Sequence, residues 1–272
     1  MKLETIQKEM LEIAVEFDLF CEKHELTYVI CGGSLLGAVR HKGFIPWDDD
    51  FDVAMPRSEF ERFLTLWRDS EKYSIIKIGD PEYYKTATPA KIFLRGTRVS
   101  ESNEKKNGMP EFCPYGIFLD VFPLDEYQDN FIGHTINKYV GKLILAKSLS
   151  KYHLRNRSFL SRFVIKLFRL IPQKAVAALK NMSLSYVLPS KDDRCGRFVG
   201  YGVETPFTNL VLKPEKMWPP KREYIIGDRI FYGPNSADDY LKCRFGDYWE
   251  LPALADRKQH ILKVKQVMES KI

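Results

Sequence analysis

Five cysteines in 272 residues, with no CxxC pair among them, give this chain neither a disulfide framework nor a zinc ribbon. Cys21, Cys31, Cys113, Cys195 and Cys243 are odd in number and scattered, which predicts reduced thiols in a reducing compartment. No apolar run approaches the roughly 20 residues of a membrane span. The N-terminal "MKLETIQKEMLEIAVEF" lacks the apolar core of a signal peptide, so a cytoplasmic location is expected. Internal repeats and low-complexity segments are also missing. The most local absence is of acid: Lys138 to Lys180 holds eleven Lys and Arg and no Asp or Glu. Because the formal charge is only +6, the rest of the chain is net acidic. What is present suits a core: 44% hydrophobic and 13% aromatic residues mark a globular chain of one large or two small domains.

Ile6, Met10, Ile13, Phe17 and Phe20 recur at helical spacing, which predicts a helix over 3–24. "LTYVICG" reads as a strand ending in glycine, and Ser34 to His41 as a short helix after a Gly32-Gly33 turn. "DFDVAM" reads as a second strand closed by Pro56, with helical spacing again from Ser58 to Trp67. "YSIIKI", "AKIFLRGTRV" and "GIFLDVFPLD" are further strands, the last stopped by Pro123, with Asp125 as a turn residue or helix cap. Residues 131–188 read as helical. The tail from Pro189, rich in Pro, Gly and aromatics, reads as loops and short elements. Strands mixed with helices, then helices alone, predict an α+β fold.

Four aspartates lie within five residues: Asp48, Asp49, Asp50 and Asp52. Side chains of an extended segment alternate between faces, so Asp48, Asp50 and Asp52 point one way and Asp49 and Phe51 the other. Alternate carboxylates lie roughly 7 Å apart along the backbone, at a rise of about 3.3 Å per residue, and their side chains can converge on one ion. Like charges on one face are costly without a counter-charge. A divalent cation removes that cost, and hard oxygen ligands favour Mg²⁺ or Mn²⁺. The competing reading is a solvated acidic turn, but such a turn need not alternate with Trp47, Phe51, Val53 and Met55. The preceding Gly-Gly-Ser turn brings backbone N–H groups, and Ser34 at a helix start, within reach of an anion. An anion cradle beside a metal clamp is the equipment of phosphoryl or nucleotidyl transfer. Asp120, between Phe118 and Phe122 on one strand face, is the candidate third carboxylate, as ligand or as base.

At this point the residues resemble a known family. "GGSLLGAVRHKGFIPWDDDFDVAM", then "GIFLDVFPLD", then "FGDYWELP" are similar to the LicD family of phosphocholine transferases, related to fukutin-like enzymes. The resemblance implies a nucleotidyltransferase-like mixed β-sheet flanked by helices. It implies Asp50 and Asp52 as the metal pair, Asp120 as the third carboxylate, Asp48 within the same motif, and Gly33 and Ser34 against the donor phosphates. It also implies CDP-choline as donor and a hydroxyl of a cell-surface glycan precursor, of teichoic-acid or lipopolysaccharide type, lipid-linked or free, as acceptor. Another CDP-alcohol, or ordinary nucleotidyl transfer, are the rival chemistries. A catalytically silent membrane- or glycan-binding module is the reading outside enzymes. The cysteine-histidine zinc element of some animal relatives has no counterpart here.

Other cations and rings are less sharply marked. Arg40 and Lys91 are candidate phosphate contacts, against solvated or structural roles. His24, His134, His153 and His260 show no ligand spacing and read as structural or surface residues. Tyr115, Tyr248 and Trp249 are candidates for an aromatic cage around a quaternary ammonium. Leu160, Phe163, Val164, Leu167, Phe168 and Ile171 form an apolar stripe, with Arg162, Lys166 and Arg169 off it. Such a basic amphipathic helix suits peripheral contact of residues 138–180 with the anionic inner face of a membrane, or an anionic glycan, or else packs on the core with a solvated basic face. No nucleic-acid module is recognised. The expected organisation is a catalytic core over 1–130, a basic helical region over 131–188, and a region over 189–272 that completes the active-site cleft.

Overall fold

The apolar spacing of the N-terminal segment is used as a single buried face. Helix α1 (Leu3–Lys23) buries Ile6, Met10, Ile13, Ala14, Phe17 and Cys21 in the main core. The computed structural model describes residues 1–80, 88–102, 110–150, 152, 154, 158–187, 196–257 and 259–267. Its centre is a mixed sheet. Strand β1 (Val29–Ile30) pairs antiparallel with β2 (Asp52–Pro56), and β2 pairs parallel with the long β6 (Phe118–Gln128). Across β6 lies β4 (Ala90–Leu94), followed by β3 (Tyr73–Lys77), both antiparallel. Strand β7 (Arg197–Tyr201) pairs with the far half of β6. Helix α1 packs on β4 and β6, and α3 (Arg57–Leu66) on β2 and β6. The architecture is therefore α+β, a mixed sheet flanked by helices.

Two readings of the sequence change. Pro123 does not stop its strand. Strand β6 pairs with β4 through Val121 and with β7 from Leu124, so Pro123 falls at the handover between neighbours. Its missing N–H is not needed there, and its carbonyl accepts from Gly202 N at 2.8 Å. "AKIFLRGTRV" is two strands in two sheets: β4, then a turn at Gly96 (φ +71°), then β5 (Thr97–Glu101). The tail's elements are short, as expected. The tail holds β7, a short helix α7 at Pro214–Met217, a hairpin of β8 (Lys221–Ile226) and β9 (Arg229–Gly233), helix α8 (Ala237–Phe245) and β10 (Ile261–Gln266), which pairs with β5. Gly227 (φ +66°) and Asp228 make the two-residue hairpin turn.

The basic stretch forms α4 (Phe131–Leu149), α5 (Phe159–Leu167), a 3₁₀ turn and α6 (Gln173–Val187). Helices α4 and α6 pack on the β7-paired end of β6, around Tyr127, Val140, Ile144, Val187 and Phe198. Within α5 only Ile165 is buried; Phe159, Leu160, Phe163, Val164 and Leu167 are exposed. The apolar stripe is thus turned outward rather than into a core. Lys151, His153, Arg155, Arg157 and Cys195 lie outside the described residues. Among the described residues no helix is long and apolar enough to cross a membrane, and Cys21, Cys31 and Cys243 are free thiols.

Candidate active site

The glycine pair is the start of a helix, not a turn ahead of it. Helix α2 runs Gly32–His41, and Gly32 takes φ +55°, a left-handed value that glycine allows. The Gly32 N–H donates to Tyr240 Oη at 3.0 Å. Both glycines let carboxylates approach the helix end. A side chain at Gly32 would collide with Asp52, and a β-carbon at Gly33 would come within 2.5 Å of Asp48 Oδ2 and 3.6 Å of Asp50 Oδ1. The positive end of the helix dipole favours negative charge at this place.

Strand β2 begins only at Asp52, and Asp48 to Asp50 precede it as irregular backbone. Alternation nevertheless holds. Asp48, Asp50 and Asp52 line one cavity of about 540 Å³, together with Gly33, Lys91 and Asp120. Asp49 is turned away and buried: its Oδ1 accepts from His260 N at 2.8 Å and its Oδ2 from Ile261 N at 2.6 Å. Asp52 and Asp120 meet because β2 and β6 run parallel with these two residues in register. Ser34 does not line the cavity. Its hydroxyl oxygen accepts from Asp52 N at 2.8 Å, fixing the start of β2 against α2.

The carboxylates crowd one another. Burial, and then the charge and hydrogen bond of Asp50, push Asp48 up to about 8. Burial and the neighbouring Asp50, Asp120 and Asp48 lift Asp52 well above the usual carboxylate range. Burial also raises Asp50 and Asp120, opposed by His260 at the first and by Lys91 at the second. Lys91 is buried, ion-paired with Asp120, and its Nζ sits 3.5 Å from the centroid of the Phe118 ring. Thr88 Oγ1 donates to the other Asp120 oxygen at 3.4 Å.

One residue that sequence reading placed elsewhere belongs to this region, and a second is buried nearby along β6. His260 is not remote. Its Nδ1 lies 3.3 Å from Asp49 Oδ1 and 3.4 Å from Asp50 Oδ2, and the hydrogen bond to Asp49 with the adjacent carboxylate charges raises it to about 9 against its burial. Its only sequence signal is the β10 pairing that brings it back, which spacing along the chain does not reveal. Asp125 is not a turn residue. It is buried in β6 and takes a two-pronged grip from Arg57, at 2.7 and 2.9 Å. Among the described residues Asp48, Asp49 and His260 also bring ligand atoms within 4.8 Å of one another. In that trio Asp49 already accepts from two backbone donors.

Arg40 faces an adjoining hollow of about 400 Å³, where its Nη1 donates to Tyr248 O at 2.7 Å. The two spaces share Leu36, Ile45 and Phe245. Trp47 and Tyr248 line the second. Tyr115 is buried with its hydroxyl on Glu101 at 2.6 Å, and Trp249 is exposed, so the three rings named from sequence do not converge. The cavity wall instead carries Phe118, Phe122, Tyr201, Phe207 and Phe245.

Comparison with known proteins bears on this arrangement. The family described as LicD/FKTN/FKRP, nucleotidyltransferase domain, matches residues 25–164. That range carries the α2 glycines, all four aspartates of the first motif, Lys91 and Asp120. A lipopolysaccharide cholinephosphotransferase LicD of Haemophilus influenzae is 28% identical over 273 aligned residues, 95% of each chain. Uncharacterised proteins of Rickettsia typhi and Rickettsia prowazekii share only short segments: 43% identity over 44 residues, 16% of this chain and 14% of the relative, and 54% over 33 residues, 12% of each. The match to the family extends over half of the sequence and takes in the whole carboxylate cluster: this chain belongs to the LicD/FKTN/FKRP nucleotidyltransferase-domain family.

Proposed function

We propose that the protein transfers phosphocholine from CDP-choline to a hydroxyl of a cell-surface glycan precursor, of lipopolysaccharide or teichoic-acid type. The observation that carries this reading is the convergence of Asp48, Asp50, Asp52 and Asp120 in one cavity beside Lys91. The near full-length likeness to a lipopolysaccharide cholinephosphotransferase supports the donor and acceptor classes. The residues fit a divalent ion: the donors are hard oxygens, and burial with mutual repulsion drives their protonation when no cation opposes it. Asp50, Asp52 and Asp120, with Asp48, would hold Mg²⁺ or Mn²⁺, and such an ion supplies positive charge to diphosphate oxygens when bound.

The chain's own groups do the rest. Gly33, at the start of α2, borders the space for the donor phosphates, and Ser34 steadies Asp52 beneath them. Arg40 and the rings of the adjoining hollow receive the part of the donor remote from the reacting phosphorus. Asp120 either completes the carboxylate set or takes the acceptor's hydroxyl proton, with Lys91 as its counter-charge. The acceptor oxygen bonds to the choline-bearing phosphorus, the bond from that phosphorus to CMP oxygen breaks, and CMP leaves. With CDP-choline labelled at the choline-bearing phosphorus, label is expected in the glycan and unlabelled CMP in equal amount. CMP attached to the glycan would establish ordinary nucleotidyl transfer, another CDP-alcohol consumed in preference would correct the donor, and no metal-dependent nucleotide binding would leave a silent module.

The outward α5 stripe supports peripheral contact with an anionic membrane surface as part of this reading. Leu170 and Phe159 are 80% and 78% exposed, and Lys166, Arg169 and Lys174 stand exposed around them.

A further inference from the structure

Three cationic side chains line the carboxylate cavity: Lys91, His260 and Arg244. Two are engaged by the chain's own acids, Lys91 by Asp120 and His260 by Asp49 and Asp50. Arg244, near the end of α8, is held differently. Among the described residues no carboxylate pairs with it. Its Nη1 donates to Asn209 Oδ1, and its Nε is buried without a hydrogen-bond partner. Rings hold the guanidinium in place, its central carbon 5.4 Å from the centroid of Tyr201, 5.5 Å from Phe207 and 5.7 Å from Phe245.

Aromatic faces stabilise a cation without neutralising it. A guanidinium seated this way, half-buried, keeps both its charge and part of its donor fork for an anion. A carboxylate partner would cancel that charge, and the sequence supplies none here although acids crowd the rest of the cavity. The same three rings are unsuited to a quaternary ammonium, because their faces are already filled by positive charge. A cationic headgroup belongs elsewhere, and an anionic one belongs at Arg244.

We propose that Arg244 binds phosphate oxygens of the nucleoside diphosphate donor, fixing the diphosphate against the carboxylate cluster. The proposal rests on the transferase reading above and names the residue that selects for the donor's diphosphate. Lysine is a poor substitute: it carries the charge, but not the planar fork.

Binding of inorganic pyrophosphate and of CDP-choline, each with Mg²⁺, is to be measured by calorimetry for the parent, Arg244→Gln and Arg244→Lys, with thermal melts alongside. The Gln variant is expected to lose about tenfold or more in affinity for both ligands, the size of a lost charge-assisted hydrogen bond. The Lys variant should fall between, and both should melt near the parent. In turnover the loss should fall on KM for the donor more than on kcat, and free guanidinium should restore part of it to Arg244→Ala, which a purely structural role would not allow. Parental affinity in a folded Arg244→Gln variant overturns the assignment of Arg244 while leaving the transferase reading intact. If the parent binds neither pyrophosphate nor CDP-choline, the diphosphate site is rejected as a whole. If Arg244→Gln fails to fold, the folded Lys variant decides: parental affinity and no KM change there reject the contact.

Discussion

Asp49 and Asp50 are neighbours with opposite work. Asp50 opens on the cavity among like charges, whereas both Asp49 oxygens hold backbone N–H groups at the start of β10. Asp50→Asn or Asp52→Asn should lower transfer at least about a hundredfold, because each removes charge from the proposed ion clamp at nearly constant volume. The same changes relieve repulsion in the ion-free protein. They should raise its melting temperature, by about 2–4 °C per kcal/mol relieved, and abolish the stabilisation that added Mg²⁺ gives the parent. Asp49→Asn should do the reverse, costing about 1–3 kcal/mol in denaturant unfolding since an amide N–H₂ would face a backbone donor, with Mg²⁺ stabilisation retained. Equal behaviour of all three variants would refute the division of labour. That division was readable from alternation alone. His260 and Arg244 were not, because they enter the cavity from just before β10 and from the end of α8, and only the pairing of β10 with β5 and the packing of α8 on α2 bring them there.

Strand β6 carries two charged centres five residues apart, Asp120 in the cavity and Asp125 in a buried ionic cluster. Arg57, from the first turn of α3, bonds Asp125 at 2.7 and 2.9 Å and Glu204 at 2.9 and 2.7 Å. Lys180 of α6 adds a contact to Glu204 at 3.3 Å. The cluster thus ties α3, β6, the chain after β7 and α6 together. Replacing Arg57 with Met strands two buried carboxylates and should cost about 3–5 kcal/mol in unfolding free energy. Burial alone would raise Glu204, but the hydrogen bonds and charge of Arg57, with Lys180, outweigh it and bring Glu204 to about 2 from 4.5. The folded chain therefore takes up this proton less readily than the unfolded one. The stabilisation, about 3 kcal/mol, is complete above pH 4.5 and is lost as pH falls towards 2. Urea unfolding from pH 6 to 2 should show that decline, and Glu204→Gln should flatten it; an unchanged slope would exclude Glu204 as its source. Periodicity exposed α1, α3 and most sheet strands in the sequence. It missed how Pro123 could sit inside a strand, since that depends on two different neighbours meeting at one residue, and it missed the β8–β9 hairpin despite its Gly227-Asp228 turn.

At the scale of the whole molecule, positive charge and exposed apolar side chains occur together in one region. Not all eleven basic residues of the stretch 138–180 are available to a partner. Lys147 is buried and donates to the carbonyls of Phe168, Arg169 and Ile171, closing the end of the α5 segment, and Lys180 faces Glu204. Lys138, Lys142, Lys166, Arg169 and Lys174 remain exposed. Beside them stand Phe159, Leu160, Phe163, Val164, Leu167 and Leu170, which water does not favour. Sequence alone left this stripe between a core face and an outward one, because amphipathicity does not say which medium the apolar side meets; the packing of Ile165 alone settles that it is outward. An anionic bilayer satisfies both features at once, with about 1 kcal/mol for each basic group near its surface, screened beyond roughly 8 Å at physiological salt. The protein should sediment with phosphatidylserine-containing vesicles at low salt and less as salt is added. Lys166→Glu, Arg169→Glu and Lys174→Glu together reverse three charges and should weaken binding more than a hundredfold. Phe163→Ser with Leu167→Ser should weaken it too, while leaving its salt dependence in place, because only the apolar part is removed. None of these residues reaches the carboxylate cavity, so turnover of a water-soluble acceptor should stay at the parental level and a lipid-linked acceptor should be used poorly. A parent that ignores anionic vesicles at low salt would end the membrane reading and leave the stripe to another partner.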